Sequence, residues 1–198
     1  MSFPNSIQNL INELNKLPGI GNKTSQRFVF YLLKQPKSEI VKLTNSLEHL
    51  KDEIKYCDIC HCFTEKNPCP ICSDRGRNKS ILCVVSETSE MAVIENMGEY
   101  KGLYHILGGT INTLDGITPD MLNIRSLVER VKGYDFKEII FAFDPDIEGE
   151  STVMYLKKIL ELYKIKITRL ARGLPMGSDI EYADEITLSN AFKGRNAA

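Results

Sequence analysis

Four of the six cysteines fall into two Cys-x-x-Cys pairs, Cys57/Cys60 and Cys69/Cys72, with eight residues between the pairs. Each pair forms a knuckle tight enough to aim two thiolates at one point, and the short connection lets the two points coincide. Four thiolates make a closed tetrahedral site, which suits Zn²⁺ and leaves no position open for a substrate. The spacing therefore predicts one structural zinc per chain. The other readings of these residues are a disulfide pair or unrelated buried thiols. His61 and Cys62 lie beside the first knuckle, but two regular pairs need no further ligand, so both are read as bystanders.

A second set is acidic. Asp144 and Asp146 follow the apolar run Glu138-Ile139-Ile140-Phe141-Ala142-Phe143, and Glu87 follows Ile81-Leu82-Cys83-Val84-Val85. Such runs read as buried parallel strands, and ligands of open α/β sheets bind beyond the strands' carboxyl ends. Two aspartates one residue apart suit Mg²⁺, which takes a few carboxylates with waters and phosphate oxygens. On this reading the site is a metal-dependent phosphoryl-transfer centre. An equally good reading has Asp144 and Asp146 capping the helix that follows.

The third set is basic. Leu17-Pro18-Gly19-Ile20-Gly21-Asn22-Lys23 lies between two amphipathic segments, with Arg27 one helical turn beyond Lys23. This is the pattern of a helix-hairpin-helix. Gly19 and Gly21 let backbone N–H groups approach a phosphate, and the next helix points its positive end there. Lys23 and Arg27 add charge at the same place, gripping a nucleic-acid backbone without reading its sequence. A plain helix–turn–helix connection is the bland reading.

The elements that position these groups follow from periodicity. Ile7, Leu10, Ile11, Leu14 and Leu17 line one face of a first helix, with Ser6 as N-cap and Pro18 as its end. A second helix carries Phe28, Tyr31 and Leu32, and a third runs from about Ser38 to His49. Beyond the cysteines, strands at 81–85, 104–107, 138–143 and 166–171 alternate with helices from Ser89 to Asn96, from Thr118-Pro119 to Gly133, and after Asp146. That alternation predicts a mainly parallel sheet. Residues 1–80 carry 12 Lys/Arg against 8 Asp/Glu, and residues 81–198 carry 13 against 18. A polyanion surface is therefore expected on the N-terminal side. No apolar run reaches the roughly 18–20 residues of a membrane span. With neither a signal-peptide pattern nor a disulfide framework, a reducing cytoplasm is expected and no membrane partner.

Taken in order, several motifs resemble the RecR family of bacterial recombination mediators. They are Leu17-Pro18-Gly19-Ile20-Gly21 with Lys23 and Arg27, the four cysteines, Tyr104-His105-Ile106-Leu107-Gly108-Gly109, Glu148-Gly149-Glu150, and Ala171-Arg172-Gly173-Leu174-Pro175-Met176-Gly177 leading into Glu181-Tyr182-Ala183-Asp184-Glu185. The resemblance implies an α+β multidomain chain. Its parts would be a helix-hairpin-helix DNA-binding domain (1–53), a four-cysteine zinc finger (54–79), an α/β Toprim domain (80–173) and a C-terminal oligomerisation segment (174–198). It also implies a tetrameric ring that binds single- and double-stranded DNA, with RecO and RecF as partners. Such a protein is not an enzyme: it helps load RecA onto single-stranded DNA coated by single-strand-binding protein, in the cytoplasm at the nucleoid.

Two positions depart from the family pattern. Catalytic Toprim domains close the first strand with a glutamate, and relatives usually keep it, whereas Ser86 stands there and Glu87 follows. Relatives have commonly lost the aspartates, whereas Asp144 and Asp146 are both present. Glu87, Glu90, Asp144, Asp146 and Glu148 are therefore expected to form an acidic rim that binds RecO. Mg²⁺ at the aspartates is the alternative, with the chain a Toprim nuclease or related phosphoryl-transfer enzyme. A third reading is a zinc-ribbon adaptor that binds only protein.

Overall fold

The computed structural model describes residues 3–195 and divides the chain into two compact units between Ile54 and Lys55. The first unit is helical: α1 (Asn5–Leu14), α2 (Asn22–Leu33) and α3 (Lys37–Glu53). Pro4 precedes α1 in place of the expected Ser6 cap, and the helix stops at Leu14, short of Pro18. The chain spends Asn15 to Ile20 in turns, closed by Lys16 N–H to Glu13 O (3.2 Å), Leu17 N–H to Leu14 O (3.2 Å) and Ile20 N–H to Leu17 O (3.1 Å). Ile11 and Val29 are the buried apolar residues of this unit, and Ser25 is buried with them.

The second unit opens with a two-stranded antiparallel ribbon, β1 (Lys55–Tyr56) and β2 (Phe63–Thr64), and the short helix α4 (Pro70–Ser73). Then follow β3 (Asn78–Val85), α5 (Thr88–Asn96), β4 (Gly102–Ile106), α6 (Ile124–Gly133), β5 (Glu138–Phe141), α7 (Ile147–Leu160), β6 (Lys166–Arg169) and α8 (Glu185–Lys193). The last four strands form one parallel sheet in the order β4-β3-β5-β6. The expected helix over 118–133 is broken. A 3-10 turn (Pro119–Met121) precedes an extended Leu122, and α6 starts only after Asn123. Asn123 sets that break by bonding the end of β4: its N–H reaches Leu107 O at 2.8 Å and its Nδ2 reaches Ile106 O at 3.1 Å.

Alternation along β3 builds two cores, because successive side chains face opposite sides of a sheet. Leu82 and Val84 pack with Leu127 and Val131 of α6 and Leu156 and Leu160 of α7. Cys83 and Val85 pack on the other face with Met91 of α5, Tyr104 and Ile106 of β4, and Cys57, Cys60 and Cys69. The cysteine module therefore folds onto the sheet and shares its core, as its small size requires. Burial pushes the Cys83 thiol up to about 12, as fits a core residue.

Candidate metal centre and nucleic-acid interface

The four predicted cysteines converge, with Cys57, Cys60, Cys69 and Cys72 placing their sulfur atoms within 4.8 Å of one another. Cys60 Sγ and Cys69 Sγ are 3.6 Å apart. Backbone N–H groups point at the sulfurs, from Cys69 to Cys57 Sγ and from Cys72 to Cys69 Sγ, each at 3.4 Å. Asn67 holds the two knuckles together by accepting from Asp58 N at 3.1 Å and donating Nδ2 to Asp58 Oδ2 at 2.5 Å. The thiols' own chemistry tests the fit of a metal. Hydrogen bonds from Cys60, Cys62 and Cys72 hold Cys69 well below the ordinary thiol value, and Cys62 lowers Cys60 to about 7. The side chains of Cys60 and Cys69 push Cys72 up, and burial raises Cys57. Alone, then, the cluster cannot ionise all four groups. A central dication removes that conflict, since ligating thiols are deprotonated. The set fits a structural zinc, held by Cys57, Cys60, Cys69 and Cys72. Cys62 is buried beside the cluster, and neither it nor His61 belongs to the converging four.

In the helical unit, Gly19 has φ +76, a conformation that favours glycine. Gly21 is different. It is the extended N-cap of α2, and a Cβ there would meet nothing within 4 Å. Neither backbone strain nor packing explains its lack of a side chain. The N-terminus of α2 has no side-chain cap and no acidic residue in its first turn. Its free N–H groups carry partial positive charge. Lys23 stands in that first turn, where a cation works against the helix dipole. Both Lys23 and Arg27 are exposed, and neither has an ion pair among the described residues. A residue missed by periodicity fixes the hairpin: buried Ser25 donates its hydroxyl to Asn15 Oδ1 at 2.5 Å, tying α2 to the end of α1. Its spacing of one helical turn before Val29, the buried apolar residue of α2, was the available signal.

The acidic residues separate into distinct roles. Asp146 caps α7, its Oδ1 accepting from Gly149 N at 2.7 Å. Asp144 and Glu87 are exposed, and Glu148 stands in the first turn of α7. Glu90 folds back on the start of its own helix. Its Oε2 accepts from Ser86 N (2.8 Å) and Glu87 N (3.2 Å), and its Oε1 accepts from the Ser86 hydroxyl. Among the described residues, the cysteines are the group of three or more potential ligands that converges; the carboxylates do not join such a group. Glu150 pairs with Arg172, and with Arg169 at 3.3 Å, which hold its carboxyl below the usual range. Gly149 is required here because a Cβ would lie 2.1 Å from the Asp144 carbonyl oxygen. No helix among the described residues is long and apolar enough to cross a membrane.

Comparison with known proteins matches this arrangement segment by segment. Family models match for the RecR helix-hairpin-helix at residues 7–51, the RecR four-cysteine zinc finger domain at 54–74, the Toprim domain at 80–171 and the RecR C-terminal region at 173–196. The protein named "Recombination protein RecR" of Staphylococcus aureus strain MRSA252 is 47% identical over 195 residues, covering 98% of each chain. The protein of the same name from Bifidobacterium longum subsp. infantis is 48% identical over 198 residues, covering 100% of this chain and 99% of its own. With every segment matched in order and nearly the full length aligned, the chain belongs to the RecR family of recombination proteins.

Proposed function

We propose that this chain is a non-catalytic DNA clamp of recombinational repair. With RecO and RecF it would help load RecA onto single-stranded DNA coated by single-strand-binding protein. The observation that carries this reading is the α2 N-terminus. It combines uncapped N–H groups, a glycine with no packing reason, and two exposed cations one turn apart. Phosphates are the ligand that such a site fits, on single or double strands alike.

Oligomerisation completes the clamp. The C-terminal segment leaves Met176, Ile180, Tyr182, Ile186 and Phe192 exposed, with Ile186 at 74% and Phe192 at 71%. Other copies of the chain would cover them in a tetrameric ring. The acidic rim formed by Glu87, Asp144, Asp146 and Glu148 is the proposed RecO surface. Glu90 would join this rim as a charge held in place, since its oxygens already accept from Ser86 and Glu87.

The intact Asp144-x-Asp146 pair favours a second reading, a Mg²⁺-dependent nuclease. Against it, Asp146 caps a helix and Ser86 stands where the glutamate of a catalytic Toprim domain belongs. End-labelled gapped DNA with Mg²⁺, run on native and denaturing gels at two salt concentrations, separates the two. Shifted but intact DNA supports the clamp. Cleavage that disappears in Asp146→Asn supports the nuclease.

A further inference from the structure

His61 sits inside the first knuckle at φ 64, a left-handed conformation uncommon outside glycine, although histidine adopts it more readily than most residues. Such a conformation persists only where the surroundings impose it. The knuckle supplies part of that constraint, through His61 N–H to Cys57 O at 2.8 Å and Cys57 N–H to Cys62 O at 2.9 Å. Both bonds are made by backbone groups and would serve a glycine equally, so what the imidazole does is read from its own contacts.

The ring leaves the knuckle for the sheet. His61 Nε2 lies 2.7 Å from Ser126 Oγ on α6, and its ring meets the His105 ring edge-on at 5.3 Å. Donor roles follow from what each partner can accept. Asn123 O is a carbonyl, so the Ser126 hydroxyl donates to it (2.9 Å) and so does His105 Nε2–H (2.9 Å). Ser126 has spent its one proton, so His61 Nε2–H donates to Ser126 Oγ. Burial lowers His105 to about 3, which keeps that ring neutral with its proton on Nε2.

The chain of bonds returns to the cysteines. Asn123 Nδ2 donates to Ile106 O at 3.1 Å, and Ile106 N–H donates to Cys60 O at 2.8 Å. Cys60 and His61 are consecutive residues, so the bonds close a loop that runs Cys60–Ile106–Asn123–Ser126–His61. The loop passes through the knuckle, the end of β4 and the start of α6.

The geometry points to His61 as a positioning residue that makes the start of α6 sense whether the zinc site is occupied. With zinc bound, Cys60 is fixed and His61 is held in its strained turn, so Ser126 and Asn123 are both saturated. When the metal leaves, the knuckle relaxes and withdraws the imidazole. Ser126 then loses its donor, and the Asn123 bridge that starts α6 loosens. A side chain that binds no metal thus couples the metal centre to an element of the Toprim body.

The test uses full-length zinc-loaded protein and a chromophoric zinc chelator as competitor. Wild type, His61→Gly, Ser126→Ala and the double variant are compared. The expected result is zinc release about fivefold faster in each single variant, the value of one hydrogen bond, with the double variant no faster than either single one. His61→Gly removes the strain as well as the ring. If strain were all that mattered, it would hold zinc as long as wild type or longer, and that result overturns the proposal. Hydrogen exchange at residues 123–131 gives a second readout. Exchange should rise on zinc removal from wild type and be already raised in zinc-loaded His61→Gly. Unchanged exchange in both comparisons contradicts it. Should His61→Gly fail to load zinc, Ser126→Ala decides alone, because it leaves the knuckle intact.

Discussion

The hydroxyl of Ser86 donates to Glu90 Oε1 at 2.5 Å while the Ser86 N–H donates to Oε2 at 2.8 Å. The position that resembles a catalytic glutamate therefore serves the fold. It anchors the end of β3 to the first turn of α5, and Glu87 N–H joins the same carboxylate. Glu90→Ala removes this cap, which is worth about 1 kcal/mol. Thermal melting should fall by about 2–4 °C for a chain of this size. An unchanged melting temperature would show that the cap contributes nothing.

Gly149 tests how tightly α7 docks on the end of β5. A Cβ there would lie 2.1 Å from Asp144 O and 3.1 Å from Asp146 Oδ1. Backbone must move to admit it, so Gly149→Ala should cost about 1–3 kcal/mol. Gly133→Ala is the matched control, since its Cβ would meet nothing within 4 Å. Denaturant melts of the two variants should separate clearly.

Glu150 gives the acid limb of stability a specific origin. Arg172, and then Arg169, hold its carboxyl below the ordinary 4.5. A depressed folded-state value means that the pair's stabilisation is fully present above about pH 4.5. It is lost as pH falls through the folded value. The side chain is 41% exposed, so solvent screening keeps the effect modest. Glu150→Gln should flatten the acid limb of a melting-temperature profile below about pH 4.5 and leave its shape near neutrality alone.

Zinc removal should act on folding. The cysteines share a core with Cys83, Val85, Tyr104 and Ile106, and zinc contributes on the order of 10 kcal/mol in small zinc modules. Chelation, or Cys57→Ser, should lower the melting temperature by well over about 10 °C. A zinc-free protein that melts as the loaded one does would remove the metal's structural role.

Much of this was legible in the residues. Two Cys-x-x-Cys pairs predicted the convergence of Cys57, Cys60, Cys69 and Cys72, because the ligands are local and the spacing is short. Apolar runs marked β3 and β5 because strands buried in the sheet carry little else, whereas β6, the edge strand Lys166-Ile167-Thr168-Arg169, was legible only as the next step of the strand–helix alternation. Less legible was whatever depended on a partner distant in sequence. The break at Leu122 comes from Asn123 reaching back to Ile106 and Leu107, and no local propensity encodes that. His61 read as a bystander because its partners, Ser126 and His105, are 65 and 44 positions away. The role of Glu90 depends on Ser86, four residues back, which the sequence pattern presents only as the absence of a glutamate.

DNA affinity as a function of salt, measured for wild type and Lys23→Ala/Arg27→Ala on gapped DNA of two unrelated sequences, decides whether the start of α2 grips phosphates. Two lost phosphate contacts should weaken binding at least about tenfold at low salt, equally on both sequences. They should also lower the slope of log K against log salt by about 1.4–1.8. Equal affinity and equal slope would contradict a phosphate grip at the start of α2, and with it the clamp.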